Sequence, residues 1–130
     1  MKVVINKCYG GFSVSLEALL ELVKRGSKAV EVHSAKEWGG EEEWLKYKEG
    51  YQKANWLTVI KKGKKVYTVD GFSPESRTDK DLVEVVETMG EKANGSHAEL
   101  AVVEIPDGTD FEISEYDGIE HIAEKHRTWS

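Results

Sequence analysis

The stretch "KVVINKCYGGFSVSLEALLELVKRG", Lys2 to Gly26, reads as a strand, a glycine turn and a helix in succession. Lys2 to Cys8 is a β-branched apolar run that ends at Gly10 and Gly11, where conformational freedom breaks a ladder. Ser13 and Ser15 are both candidate N-caps, Glu17 falls in the first turn, and Leu16, Leu19, Leu20 and Val23 recur at three- and four-residue spacing,. That spacing predicts a helix from Val14 or Leu16 to Arg25, closed by Gly26,. A strand led through glycines into a capped helix would leave backbone N–H groups open to an anion or carboxylate. The turn is not a Walker loop and lacks the three-glycine dinucleotide fingerprint. Nor is it a cysteine phosphatase loop, because Val14 stands six residues after Cys8, where an arginine would be needed. The plainer reading is a tight turn, with Cys8 a small core residue.

Beyond this unit, Glu31 to Asn55 is the least regular segment, and residues 34 to 56 form a Trp/Tyr-rich excursion. Within it Glu41 to Lys53 is a candidate short helix, because Trp44, Tyr47 and Tyr51 share one helical face,. "WLTVIKKGKKVYTVDG" is two strand-like runs around Lys62-Gly63 and predicts a hairpin with a basic turn,. Lys61, Lys62, Lys64 and Lys65 have no arginine or aromatic residue among them, so solubility explains them better than nucleic-acid binding. "GFSPESR", Gly71 to Arg77, reads as a loop. A second helix is expected from Thr78 as N-cap, with Asp81 at N3 and a stripe of Leu82, Val85, Val86 and Met89,. Its end falls at Gly90 or at Asn94-Gly95. "ELAVVEIP" is a further strand stopped by Pro106,.

The last segment, "FEISEYDGIEHIAEKHRTWS", has two readings. Asp117-Gly118 between alternating runs is a two-residue hairpin signal. Against it, Ile119, Ile122, Ala123 and His126 have helical spacing, and a hairpin sets Glu115 opposite Glu120, unfavourable unless a cation intervenes,. The hairpin is the preferred reading. The expected fold is therefore a single α+β domain over residues 1–130, a mainly antiparallel sheet of four to six strands with two principal helices.

The chain of 130 residues suits one domain and one core,. Its 39% hydrophobic and 32% charged residues fit a soluble globule rather than a disordered or membrane chain,. The apolar run near Met1 is too short for a signal peptide or a membrane span, and a single cysteine suits a reducing, cytoplasmic setting,. A net charge of -6 argues against a nucleic-acid partner,. The charge is also uneven, since Glu99 to Glu124 holds nine acidic residues and no Lys or Arg.

No cofactor or metal site is called for. His121 and His126 are five apart, on opposite faces of a strand, and a Glu120, Glu124, His126 set lacks the specificity of a metal motif,. Four histidines (33, 97, 121 and 126) could serve Cys8 as a base, but no spacing selects one,.

The segments "KVVINKCYGGFSVS", "RTDKDLVEVVETMGEKANG", "VVEIPDG" and "EISEYDGIEHIAEKHRTW" together resemble a family of small uncharacterised proteins of bacteriophages and prophage-bearing bacteria. The likeness covers about two thirds of the chain and carries no enzymatic activity with it. It implies that Cys8 to Phe12, Arg77 with Asp79, and Glu120 through Trp129 define the family. Tyr9, Phe12 and Trp129 could stack on a planar group, Arg77 and Arg127 could grip phosphate, and the glycine turn could offer donors. Convergence of these segments in space would make a nucleotide-type pocket. The expected ligand-binding set is thus Cys8, Tyr9, Gly10, Gly11, Phe12, Arg77, Asp79, Glu120, His126, Arg127 and Trp129, in a non-catalytic binder of a small anionic or nucleotide-type ligand, such as a host defence signal. The alternatives are a small hydrolase acting on a nucleotide-like substrate through Cys8 or the Glu120, Glu124, His126 group, and an acidic protein-protein inhibitor of a host enzyme that mimics nucleic acid. Self-association through the tryptophans is a further partner the sequence leaves open.

Overall fold

Consecutive β-branched positions need burial on both faces, and the strand at the start of the chain obtains it. The computed structural model describes residues 1–9, 11–38, 51–54, 57–70, 73–95 and 97–124. β1 (Lys2–Asn6) is buried from Val3 through Asn6 and pairs antiparallel with β6 (Leu100–Glu104), Val4 opposite Val102. Helix α1 (Leu16–Arg25) starts at Ser15, whose Oγ accepts from the Ala18 amide at 3.1 Å, and ends at Gly26 in the left-handed region. It buries Ala18, Leu19 and Leu22. A one-turn helix, α2 (Pro74–Arg77), precedes α3 (Lys80–Met89), which buries Leu82, Val83, Val85 and Val86. The inward stripes of α1 and α3 meet Val4, Val14, Ile60, Val69 and Ala93 in one core, burial that is the main stabilising term.

The remaining described strands form two more sheets. β2 (Val30–Ser34), β3 (Tyr51–Ala54), β4 (Leu57–Lys62) and β5 (Lys65–Val69) make a four-stranded antiparallel sheet in the order β2-β5-β4-β3. β7 (Phe111–Tyr116) and β8 (Ile119–Glu124) make a hairpin. The chain is α+β, and among the described residues its antiparallel strands are distributed over three small sheets rather than one.

Several local expectations change. Glu31 to Ser34 is not irregular but lies within β2, an edge strand along β5 whose mostly exposed side chains hid the pattern. The excursion begins instead with a 3-10 turn, Ala35–Trp38. Tyr51–Ala54 is strand, with Tyr51 opposite Ile60, so the candidate helix does not reach Lys53; its residues 41–50 lie outside the described ones. Pro74 opens α2 within the expected loop, and Thr78 caps the C-terminus of that turn. Asp79, not Thr78, is therefore the N-cap of α3, accepting from the Leu82 amide at 3.2 Å.

The segment before α1 is closely held. Gly95 donates its N–H to Ser13 O at 3.1 Å, Ser15 donates its own to Ala93 O at 2.9 Å, and Thr58 Oγ1 donates to Val14 O at 2.7 Å. A Cβ on Gly95 would lie 2.9 Å from the Ser13 carbonyl carbon and closer still to its side chain. Gly95→Ala is expected to cost about 1–3 kcal/mol, because backbone must shift to admit it. A urea midpoint unchanged from wild type would show that the two segments are not packed this closely.

Candidate functional site

The expected site residues are brought together in part, and chiefly onto one another. Arg77, at the end of α2, is only 2% exposed. Its Nη1 donates to Glu120 Oε1 at 2.6 Å and its Nη2 to Glu120 Oε2 at 2.8 Å, the two-pronged geometry that suits a guanidinium and a carboxylate,. Nη1 also donates to Val4 O at 3.2 Å, and the guanidinium carbon lies 3.6 Å from the centre of the Phe12 ring. Cation and ring thus attract each other in a setting that excludes water. Glu120, 7% exposed on β8, accepts a further bond on Oε1 from the Asn6 amide at 2.8 Å.

Val4 O and Asn6 N–H point out from the same edge of β1, the edge turned away from β6. A third strand would normally satisfy them. Here the ion pair does so, Arg77 donating to one and Glu120 accepting from the other. Two charges from residues 43 apart in sequence therefore cap a strand edge that would otherwise be buried without partners,.

Asn6 completes the arrangement and was not among the expected residues. It is fully buried, and its Nδ2 donates to Cys8 O and to Gly118 O, both at 2.7 Å. Its Oδ1 accepts from the Glu99 amide at 2.9 Å and the Cys8 amide at 3.3 Å. Both donors and both lone pairs are used. The signal that could have found it is an amide side chain closing an otherwise apolar strand, where burial is allowed only with full hydrogen bonding.

The other expected residues are placed as follows. Cys8 is half-buried and joins the cluster through its backbone alone in these bonds. Tyr9 is 64% exposed. Gly11 has φ of +96°, a region that favours glycine,. Asp79 lies elsewhere, capping α3 and accepting on Oδ2 from Ser27 Oγ at 2.7 Å. Gly10, His126, Arg127 and Trp129 lie outside the described residues. The glycine turn and the start of α1 are separate: the turn sits beside Asn6, and Ser15 caps the helix four residues after Gly11.

The acidic third of the chain takes a different form. Of the nine acidic residues from Glu99 to Glu124, Glu120 is buried; Glu99, Glu104, Asp107, Asp110, Glu112, Glu115, Asp117 and Glu124 are exposed. Tyr116, beside the hairpin turn, is 73% exposed. Two open hollows, of about 340 and 380 Å³, lie on other surfaces, one against Lys2, Thr78 and Glu87 and the other against Glu17, Arg25 and Met89. Among the described residues no group of three His, Cys, Asp or Glu side chains is placed to hold a metal ion. No described helix is long and apolar enough to cross a membrane.

Compared with protein families, with curated proteins and with solved structures, the chain has no match.

Proposed function

We propose that this chain is a non-catalytic binding protein whose exposed acidic stretch, from Glu99 to Glu124, carried on both faces and the turn of the β7–β8 hairpin and on the segment before it, engages a basic surface on a partner protein. The observation that carries this reading is the division of the nine acidic residues. One is neutralised inside by Arg77, and eight are exposed along a stretch without a lysine or arginine. Such a field steers a cationic partner and imitates the charge of a nucleic acid. The resemblance to phage proteins makes a nucleic-acid-binding protein of the host the natural partner. Arg77 is less suited to grip a ligand anion, since its guanidinium already carries Glu120.

The test is capture of host proteins on the immobilised chain at low and moderate salt, with elution by duplex DNA. The variant Glu112→Gln, Glu115→Gln, Asp117→Asn, Glu124→Gln serves as comparison. Proteins released by DNA from wild type should be retained at least about ten-fold less by the variant, because complementary charge sets both encounter and register. A captured set that neither salt nor the variant alters would sink the reading.

A second reading, a small anionic or nucleotide-type ligand, has one specific observation in its favour. Tyr9 projects into solvent next to Cys8, whose N–H and C=O are both held by the Asn6 side chain, an aromatic surface for a planar group,. A nucleotide that binds there should stabilise the fold by about 2.7 kcal/mol at 100-fold excess over its Kd. The gain should disappear in Tyr9→Ala and Gly11→Asp.

A further inference from the structure

We infer that the β7–β8 hairpin is a separately opening arm, latched to the body of the protein by Glu120. Such an arm opens whichever partner the acidic stretch takes.

The described hairpin is held to the described body by this latch and by the contact of β8 with β1. Among the described residues, none of its side chains belongs to either hydrophobic cluster of the protein. From Phe111 to Glu124 only Gly118 and Glu120 are fully buried; Phe111, Ile113 and Ile122, which share a face with Glu120, are half-buried. The hydrogen bonds from the described hairpin to the described body come from two residues: Gly118 O accepts from Asn6 Nδ2, and Glu120 accepts from Arg77 and from the Asn6 amide. A two-stranded hairpin is marginal on its own. The body, in contrast, keeps its core when the hairpin leaves, since β1 remains paired with β6 under α1 and α3.

The chemistry of the latch favours opening as a unit. Separating an apolar interface exposes surface that water solvates poorly, whereas separating a buried ion pair returns both charges to water and recovers their hydration. Glu120 sits on the hairpin and Arg77 on the body, so displacement of the hairpin separates the pair and uncovers the edge of β1 in one step. Regions with few buried apolar contacts open at lower free energy than the core. Glu112, Glu115, Tyr116 and Asp117 ride on the arm, so opening re-aims the acidic hairpin tip relative to the body.

Native-state hydrogen exchange of the full chain, at low and increasing urea, tests this. Amides within the β7–β8 ladder should open at least about 100-fold more readily than those of Val4, Leu19 and Leu82, and with a smaller dependence on urea. Leu82→Ala should raise exchange in the core while leaving the hairpin near its wild-type rate; Glu120→Gln should raise it in the hairpin first. Hairpin amides of the wild-type protein protected as well as the core, with the same urea dependence, would overturn the inference even if neither variant folds.

Discussion

Arg77→Met is expected to destabilise the protein by about 3–5 kcal/mol, because removing one member of a buried pair leaves the other charge uncompensated. The carboxylate of Glu120 would keep only the Asn6 amide, and Val4 O would lose a donor. In a domain whose whole stability is of order 5–15 kcal/mol, such a loss removes a large part of that stability. The double variant Arg77→Met, Glu120→Leu should be less damaged than Arg77→Met alone, since apolar replacement of both partners removes the stranded charge. It will not match wild type, for the edge groups of β1 then have no partner. Urea unfolding of the four proteins in the cycle measures the coupling. A cost below about 1 kcal/mol for Arg77→Met would mean that the pair is solvated like a surface ion pair, and the buried cluster would have to be abandoned.

Asn6→Leu is expected to be comparably severe. The substitution keeps the branching at Cγ and suits an apolar strand but deserts the backbone groups of Cys8, Gly118 and Glu99 that the amide serves. Each buried polar group left without a partner costs about 1–3 kcal/mol, and some of these reach water after relaxation, so a total of about 3–5 kcal/mol is expected. Asn6→Asp should do no better. It keeps the two acceptors, loses both donors, and sets a second carboxylate close to Glu120, an arrangement that like charges oppose. The measurement is again the urea midpoint, read beside Asn6→Ser as a smaller polar control. Wild-type stability in Asn6→Leu would show that the Cys8 turn and the hairpin are not joined through this side chain.

The C-terminal hairpin shows where sequence reading reaches its limit. Asp117-Gly118 announced the turn, and both residues take the positive φ, +49° and +91°, that a two-residue hairpin turn requires,. The same sequence raised an objection, Glu115 facing Glu120, and the register places them opposite each other. The objection is met by separation of roles. Glu120 turns its charge to Arg77, and Glu115 accepts from the Gly118 amide at 3.0 Å and stays exposed. A cation was the stated condition for the hairpin, but nothing local could name Arg77 as its source.

Phe12, Arg77 and Glu120 belong to the larger set of residues with ligand-binding chemistry, and these three do lie together. Stacking ring, planar cation and carboxylate are the parts of a recognition site, and equally the parts of an internal lock. The difference between the two is solvent access. Asp79 illustrates the same point at short range: an aspartate just before the helical stripe could serve a ligand or a cap, and Pro74, by starting a turn of its own, shifted the cap from Thr78 to Asp79.

What the sequence determined alone is the local grammar: strand, turn and capped helix from Lys2 to Gly26, the amphipathic stripe of Leu82 to Met89, the hairpins at Gly63 and at Gly118, and hence the α+β class. These follow from backbone preferences and burial periodicity, which act over a few residues. Tertiary structure alone decided that Arg77 meets Glu120 across 43 residues, that Asn6 ties both ends of the chain to one turn, and that the acidic residues face outward while one is locked inside. The physical reason is that charge and hydrogen-bonding capacity are local to a side chain, whereas the partner and the exclusion of water that give them their role come only with the packing of distant segments.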